Sequence, residues 1–212
     1  MPEFIIAGLN PDFVEYEAGW QLQREIHADI AAGIRDETCV FLEHSPVYTA
    51  GKRTDESELP KDGTRFVEVD RGGKITWHGP GQLVGYPIFR LPEPIDVVGY
   101  VRWLEQVIID SIAELGILGT RVDGRSGVWV ETDGTQVKVA AIGIRVSEKI
   151  TMHGFALNCN NSLVAYENII ACGIADAKAS TLSILAGREI TPAEMIPLIQ
   201  PRLSSGIPKR SR

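Results

Sequence analysis

Two side chains stand out for the chemistry their types allow. Lys138 lies in Val137-Lys138-Val139-Ala140-Ala141-Ile142, an apolar run of strand character. Period-two alternation predicts that Lys138 shares a face with Ala140 and Ile142. An ammonium group among apolar neighbours is costly unless paired, and a lysine so placed can act as a general base or stabilise an anion. The segment fits equally an edge-strand lysine that reaches solvent. Cys172 follows Ile169-Ile170-Ala171 and precedes Gly173, where an apolar segment turns. Only a thiolate is a competent nucleophile, and a neighbouring cation or base must favour it. A Cys-Lys pair supplies that; the alternative for a lone cysteine is an inert structural thiol.

A third feature is Arg71-Gly72-Gly73-Lys74-Ile75-Thr76-Trp77-His78-Gly79-Pro80-Gly81-Gln82. Four glycines among these twelve residues are too many for a packed helix or a plain strand, and they let a ligand approach the backbone. The stretch is neither a Walker A loop nor a dinucleotide fingerprint, since no Gly-Lys-Ser/Thr and no G-x-G-x-x-G occurs in it. It reads as a binding surface or, more plainly, as a long glycine-rich hairpin. The pairs His78-Gly79 and His153-Gly154 invite a metal site with Cys172 as third ligand, but their spacing matches no compact zinc motif.

These residues need a frame. A chain of 212 residues is expected to form one domain with a substantial core. The three cysteines are odd in number and widely spaced, unlike a disulfide framework. No apolar run approaches the roughly 18 residues that span a bilayer, and no basic-then-apolar leader opens the chain, so a cytoplasmic location without a membrane partner is expected. A net charge of −7 disfavours nucleic acid and, at long range, any acidic partner. Lys52, Arg53, Arg65, Arg71 and Lys74 cluster in sequence as a candidate local basic patch.

Residues 3–7 and 38–42 read as strands, with Cys39 a small core residue in the second. A helix is expected between them, from just after Asn10-Pro11-Asp12 to about Ala32, with Phe13, Tyr16, Trp20, Ile26 and Ile30 on one face. Residues 43–65 read as a broken, exposed loop. Strands at 66–70 and 82–89 flank the glycine stretch. Val97, Val101, Leu104, Ile108 and Ile112 mark a helix over about 97–115, stopped by Gly116. Strands follow at 121–122, 127–131 and 136–146, with a hairpin turn at Asp133-Gly134, and the return strand opens at Met152. Thr191-Pro192-Ala193-Glu194 opens a last helix, and residues 205–212 form a basic flexible tail. The sum is a mixed α/β or α+β fold, a sheet flanked by helices.

Taken together, the motifs resemble the lipoyl(octanoyl) transferase family. They are Tyr16-x-x-x-Trp20-x-Leu22-Gln23, Glu43-His44-x-Pro46-Val47-Tyr48-Thr49-x-Gly51, and Asp70-Arg71-Gly72-Gly73-x-x-Thr76-x-His78-Gly79-Pro80-Gly81-Gln82-Leu83. Gly127-Val128-Trp129, Lys138-x-Ala140-Ala141-Ile142-Gly143, His153-Gly154-Phe155-Ala156-Leu157-Asn158 and Cys172-Gly173-Ile174 follow in order. One departure is Ala171, where the family usually carries proline; alanine leaves that turn looser.

The resemblance implies a fold similar to the biotin and lipoate protein ligase catalytic domain, and a two-step acyl transfer without cofactor or metal. Cys172 takes octanoyl from acyl carrier protein as a thioester, and the lysine of a lipoyl domain then attacks it. The acceptors implied are the lipoyl domains of 2-oxoacid dehydrogenase E2 subunits and the glycine cleavage H protein. Lys138 lowers the thiol pKa and shuttles the proton. Arg71, Gly72, Gly73, Lys74, Ile75, Thr76, Trp77 and His78, with Ala141, Ile142, Gly143, Gly154, Phe155 and Ala156, hold the acyl chain and its carbonyl. An eight-carbon chain needs an apolar slot, each buried methylene contributing about 0.8 kcal/mol, and each oxyanion needs N–H donors that glycine backbone can present. Other readings of the same residues are an octanoyl amidotransferase between lipoyl domains, an ATP-dependent lipoate or biotin ligase, and an acyl-binding module with a degenerate site.

Overall fold

The computed structural model describes residues 1–60, 62–169 and 178–208. Its main sheet runs β1 (Glu3–Gly8), β2 (Thr38–Leu42), β6 (Gln82–Ile88), β10 (Ile150–Asn158), β9 (Thr135–Ser147), β8 (Arg125–Thr132) and β7 (Gly119–Val122), with the short β11 (Lys178–Ala179) also pairing β9. The β1–β2 and β11–β9 pairs are parallel and the rest antiparallel, so the sheet is mixed as expected.

Its two faces are separately covered. In β2 the alternation sends Cys39 and Phe41 into one core and Val40 and Leu42 into the other. The first core is closed by Leu104, Ile108 and Ile112 of α2 (Val97–Ala113) and by Met195, Ile196, Ile199 and Leu203 of α5 (Pro192–Ser204). The second is closed by Ile26 and Ile30 of α1 (Tyr16–Ala31). Each such side chain contributes roughly 1.5–3 kcal/mol by leaving water. Among the described residues no helix is long and apolar enough to cross a membrane.

The helices carry the expected punctuation. Asp96 Oδ1 accepts the Gly99 N–H (2.8 Å) to cap α2, and the Thr191 hydroxyl accepts the Glu194 N–H (3.3 Å) ahead of Pro192 in α5. Asp133 and Gly134 both take positive φ (49° and 69°), as the two-residue turn between β8 and β9 requires.

Three local expectations fail. First, α1 begins at Tyr16 rather than after Asp12, because Val14 is held extended by a parallel bridge to His44. Second, residues 43–65 are not one loop. They contain β3 (Val47–Ala50), which with β4 (Phe66–Glu68) and β5 (Thr76–His78) makes a second sheet ordered β4-β3-β5. The glycine stretch is therefore a loop, a short strand and a turn rather than one long hairpin. Third, Lys138 does not share a face with Ala140 and Ile142. Trp129 pairs Lys138 whereas Val128 pairs Ala140, so β9 carries one extra residue there. That bulge reverses the alternation, with Val137 and Val139 in the core before it and Ala140, Ile142 and Ile144 after it. Lys138 is left on the opposite face, toward a cavity.

Candidate active site

The cavity has a volume of about 780 Å³ and lies over β9 and β10, between the glycine segment and the start of α2. Lys138, Ala141, Ile142 and Gly143 line it from β9, and Gly154, Phe155 and Ala156 from β10. Arg71, Gly72, Gly73, Lys74, Thr76 and His78 form the facing wall. Three sequence-distant motifs thus meet around one space. Ile75 and Trp77 do not line it; they turn the other way and pack with Tyr48 and Ile169 behind the small sheet. Cys172 lies outside the described residues, as do Ala171, Gly173 and the tail residues 209–212.

Arg71 fastens the glycine wall to its neighbours. Its Nη2 donates to the Thr49 carbonyl and hydroxyl (both 2.8 Å), and its Nη1 to the carbonyls of Lys74 (2.9 Å) and Gly72 (3.1 Å). The Gly72 N–H donates to the Ile144 carbonyl (2.9 Å), tying the loop to β9. A Cβ on Gly143 would stand 2.9 Å from Gly72 O, so glycine there permits the close approach of the two chains. Arg71 is only 7% exposed, whereas Lys74 pairs with Glu58 and keeps 35% of its side chain exposed. Lys52, Arg53 and Arg65 of the same cluster are exposed, Arg53 at the cavity edge.

Three histidines are buried in and around this wall. His44 Nδ1–H donates to the Val14 carbonyl (2.8 Å), which leaves Nε2 to accept the Tyr86 hydroxyl (2.6 Å). His78 Nδ1–H donates to Gln82 Oε1 (2.8 Å), and its Nε2 accepts from the Thr49 hydroxyl at 3.3 Å. Gln82 in turn donates to Asn158 Oδ1 and to the Tyr166 hydroxyl, both at 2.9 Å. His153, at φ 58°, donates its N–H to Gln23 Oε1 (2.7 Å) and its Nε2–H to Asp70 Oδ1 (2.8 Å). Burial, reinforced by Arg71 and Arg145, pushes His153 down to about 3, so its contact with Asp70 is a hydrogen bond of a neutral ring and not an ion pair. Arg145 is the charged partner of Asp70. Burial takes His44 to about 4 and His78 well below its usual value. All three rings are neutral at pH 7 and hold the site by geometry rather than charge.

Lys138 extends its stem over Gly127, with Nζ 5.2 Å from the centroid of the Trp129 ring. Gly127 in turn donates its N–H to Glu105 Oε1 (2.9 Å), and that carboxylate also binds Arg102 (2.8 Å) and Arg121 (3.0 Å). The described cysteines are unsuited to nucleophilic work. Cys39 and Cys159 are fully buried, and burial pushes both thiols up, disfavouring the thiolate.

Sequence reasoning passed over Glu105, Tyr86 and the cavity-lining Val98, and set Val97 and Val101 in the apolar stripe of α2, whereas both line the cavity and Val97 is exposed. The available signal was the helical face Val98, Val101, Arg102 and Glu105, which runs beside the core stripe at spacings of three, one and three.

The chain matches the family model described as the lipoyl protein ligase A/B catalytic domain over residues 15–204. An octanoyltransferase of Leifsonia xyli subsp. xyli is 60% identical over 201 residues, which is 94% of this chain and 90% of that protein. A bi-partite lipoate protein ligase from Thermoplasma acidophilum, described with its E2 lipoyl domain, superposes with a TM-score of 0.69 at 14% identity, covering 97% of this chain and 84% of that one. A biotin protein ligase from Aquifex aeolicus, in complex with biotin and ATP, superposes with a TM-score of 0.57 at 13% identity, covering 95% of this chain and 69% of that one. At those identities the two structures speak to the fold alone.

Proposed function

The chain belongs to the lipoyl protein ligase A/B catalytic-domain family, and from that premise we propose that it moves octanoyl from acyl carrier protein to a lipoyl-domain lysine through a thioester on Cys172. It is an acyltransferase of protein lipoylation, in keeping with its octanoyltransferase relatives. The observation that carries the proposal is the cavity, where Lys138, the glycine wall and the Ala141–Gly143 and Gly154–Ala156 segments enclose a space in the size range of small-molecule sites.

In the first half-reaction Lys138 takes the Cys172 proton. The thiolate attacks the carbonyl carbon of the donor thioester, the tetrahedral intermediate collapses, and the carrier leaves as a thiol with that proton. In the second, the amine of the acceptor lysine attacks the Cys172 thioester. An amide forms, Cys172 leaves, and the proton shed by the amine returns through Lys138 to the thiolate. One thioester is exchanged for another and then for an amide, so neither half requires ATP. Support for pairing the two residues is covalent: Cys172 precedes Lys178 by six residues, and Lys178 pairs with Val137 beside Lys138. Six residues reach at most about 20 Å.

The donors separate this reading from its rivals. Octanoyl carrier protein as sole donor should octanoylate an apo lipoyl domain, and octanoyl lipoyl domain as sole donor should not. Turnover with the second donor alone would mean an amidotransferase, and pyrophosphate release from free octanoate and ATP would mean a ligase. The compartment proposed is the cytoplasm, where such carriers and acceptors meet.

A further inference from the structure

We propose that Glu105 is a positioning residue for Lys138, acting through the backbone of Gly127; this rests on the acyl-transfer reading above. Glu105 projects from α2 and is completely buried. A carboxylate removed from water is unstable unless partners replace the lost hydration. Its Oε2 meets Arg102 Nη1 (2.8 Å) and Arg121 Nε (3.0 Å), which satisfies the charge. Its Oε1 does something those ion pairs do not need, accepting the N–H of Gly127 at 2.9 Å.

Gly127 is the residue against which Lys138 lies. At φ 110° it holds a conformation that L side chains rarely adopt, and a Cβ there would stand 2.3 Å from Ala140 O and 2.6 Å from Lys138 Cε. The lysine stem therefore crosses a bare α-carbon whose own N–H is held by Glu105. The bulge that turns Lys138 to the cavity occupies the same few residues, since Val128 and Trp129 pair with Ala140 and Lys138 across it. Arg121 completes the clamp by donating Nη2 to the Arg102 carbonyl (2.8 Å) and to Gln106 Oε1 (2.9 Å), so the carboxylate has little freedom to shift. One rigid line thus runs from α2 through Glu105 and Gly127 to the ammonium group.

The test is a double-mutant cycle on single-turnover acylation of the full-length protein by octanoyl carrier protein, with Glu105→Gln, Lys138→Ala and their combination. The expected result is that Glu105→Gln slows acylation at saturating donor at least tenfold, leaves the half-saturating donor concentration within twofold, and adds less than twofold to the loss already caused by Lys138→Ala. Glu105→Ala, melted alongside, should fall further in rate; should it fail to fold, the isosteric Glu105→Gln carries the cycle. Multiplicative losses in the double variant, a wild-type rate in folded Glu105→Gln, or an effect confined to half-saturation would each overturn the proposal. If Lys138→Ala itself acylates at the wild-type rate, the acyl-transfer reading fails instead, which keeps the two failures distinguishable.

Discussion

His44 and His153 make the site sensitive to acid even though neither is assigned a step in the chemistry. Folding depresses their pKa values from 6.5 to about 4 and about 3 respectively, chiefly by burial. The unfolded chain therefore binds more protons than the folded one between those values and 6.5, and stability rises with pH across that window. Stability is complete above about 6.5 and is lost as the pH falls toward 4. By pH 5 each ring accounts for about 2 kcal/mol of that loss. Urea unfolding at pH 7.5, 6 and 5 should show a steady decline; a flat profile over that range would refute the buried neutral rings. The cysteines allow a second check. In native Cys172→Ala protein, Cys39 and Cys159 should resist iodoacetamide until denaturant is added, because both thiols are buried and disfavoured as thiolates. Labelling without denaturant would contradict that. At this scale Lys138 was legible as an anomaly because a cation in an apolar strand has few explanations. Glu105 was not, because its reason for burial, the Gly127 N–H, lies 22 positions away.

The elements were legible where one periodicity held over many residues, as in α2, or where a long apolar run left only strand, as in β9 and β10, and illegible where tertiary contact overrode the local pattern. Val14 continues no helix because His44 pairs with it, and β3 is too short, at four residues, to show an alternation of its own. The bulge in β9 had no signal in the sequence beyond Lys138 itself, since both parities around it are apolar. The glycine wall illustrates the energetics of a site element. Arg71 joins it to β3 through a planar fork that lysine cannot reproduce. Arg71→Lys should cost about 2–3 kcal/mol in urea unfolding, on the scale of hydrogen bonds to a charged group, and should slow transfer. Lys74→Ala, which removes one ion pair to Glu58 from a partly exposed lysine, should cost less than Arg71→Lys. Equal costs for the two would show that the wall is not held by Arg71.

For the whole molecule, a mixed sheet flanked by helices was expected from helices at both ends and in the middle of a run of strands, and the likeness to lipoate and biotin protein ligases agrees with it. The convergence of residues 71–78, 138–143 and 153–156 was legible only as a resemblance, because no local pattern states that β9, β10 and the small sheet face one another. The fold also explains why Ile75 and Trp77, two positions the resemblance implied at the acyl site, serve packing: they are the core of the sheet that carries the glycine wall. The account stands on a covalent step at Cys172, and intact-mass spectrometry tests it directly. After mixing with octanoyl carrier protein alone, the protein should gain the mass of one octanoyl group, lose it on treatment with hydroxylamine, and gain nothing as Cys172→Ala. Transfer to the lipoyl domain at an undiminished rate by Cys172→Ala, with no adduct on the wild type, would contradict it.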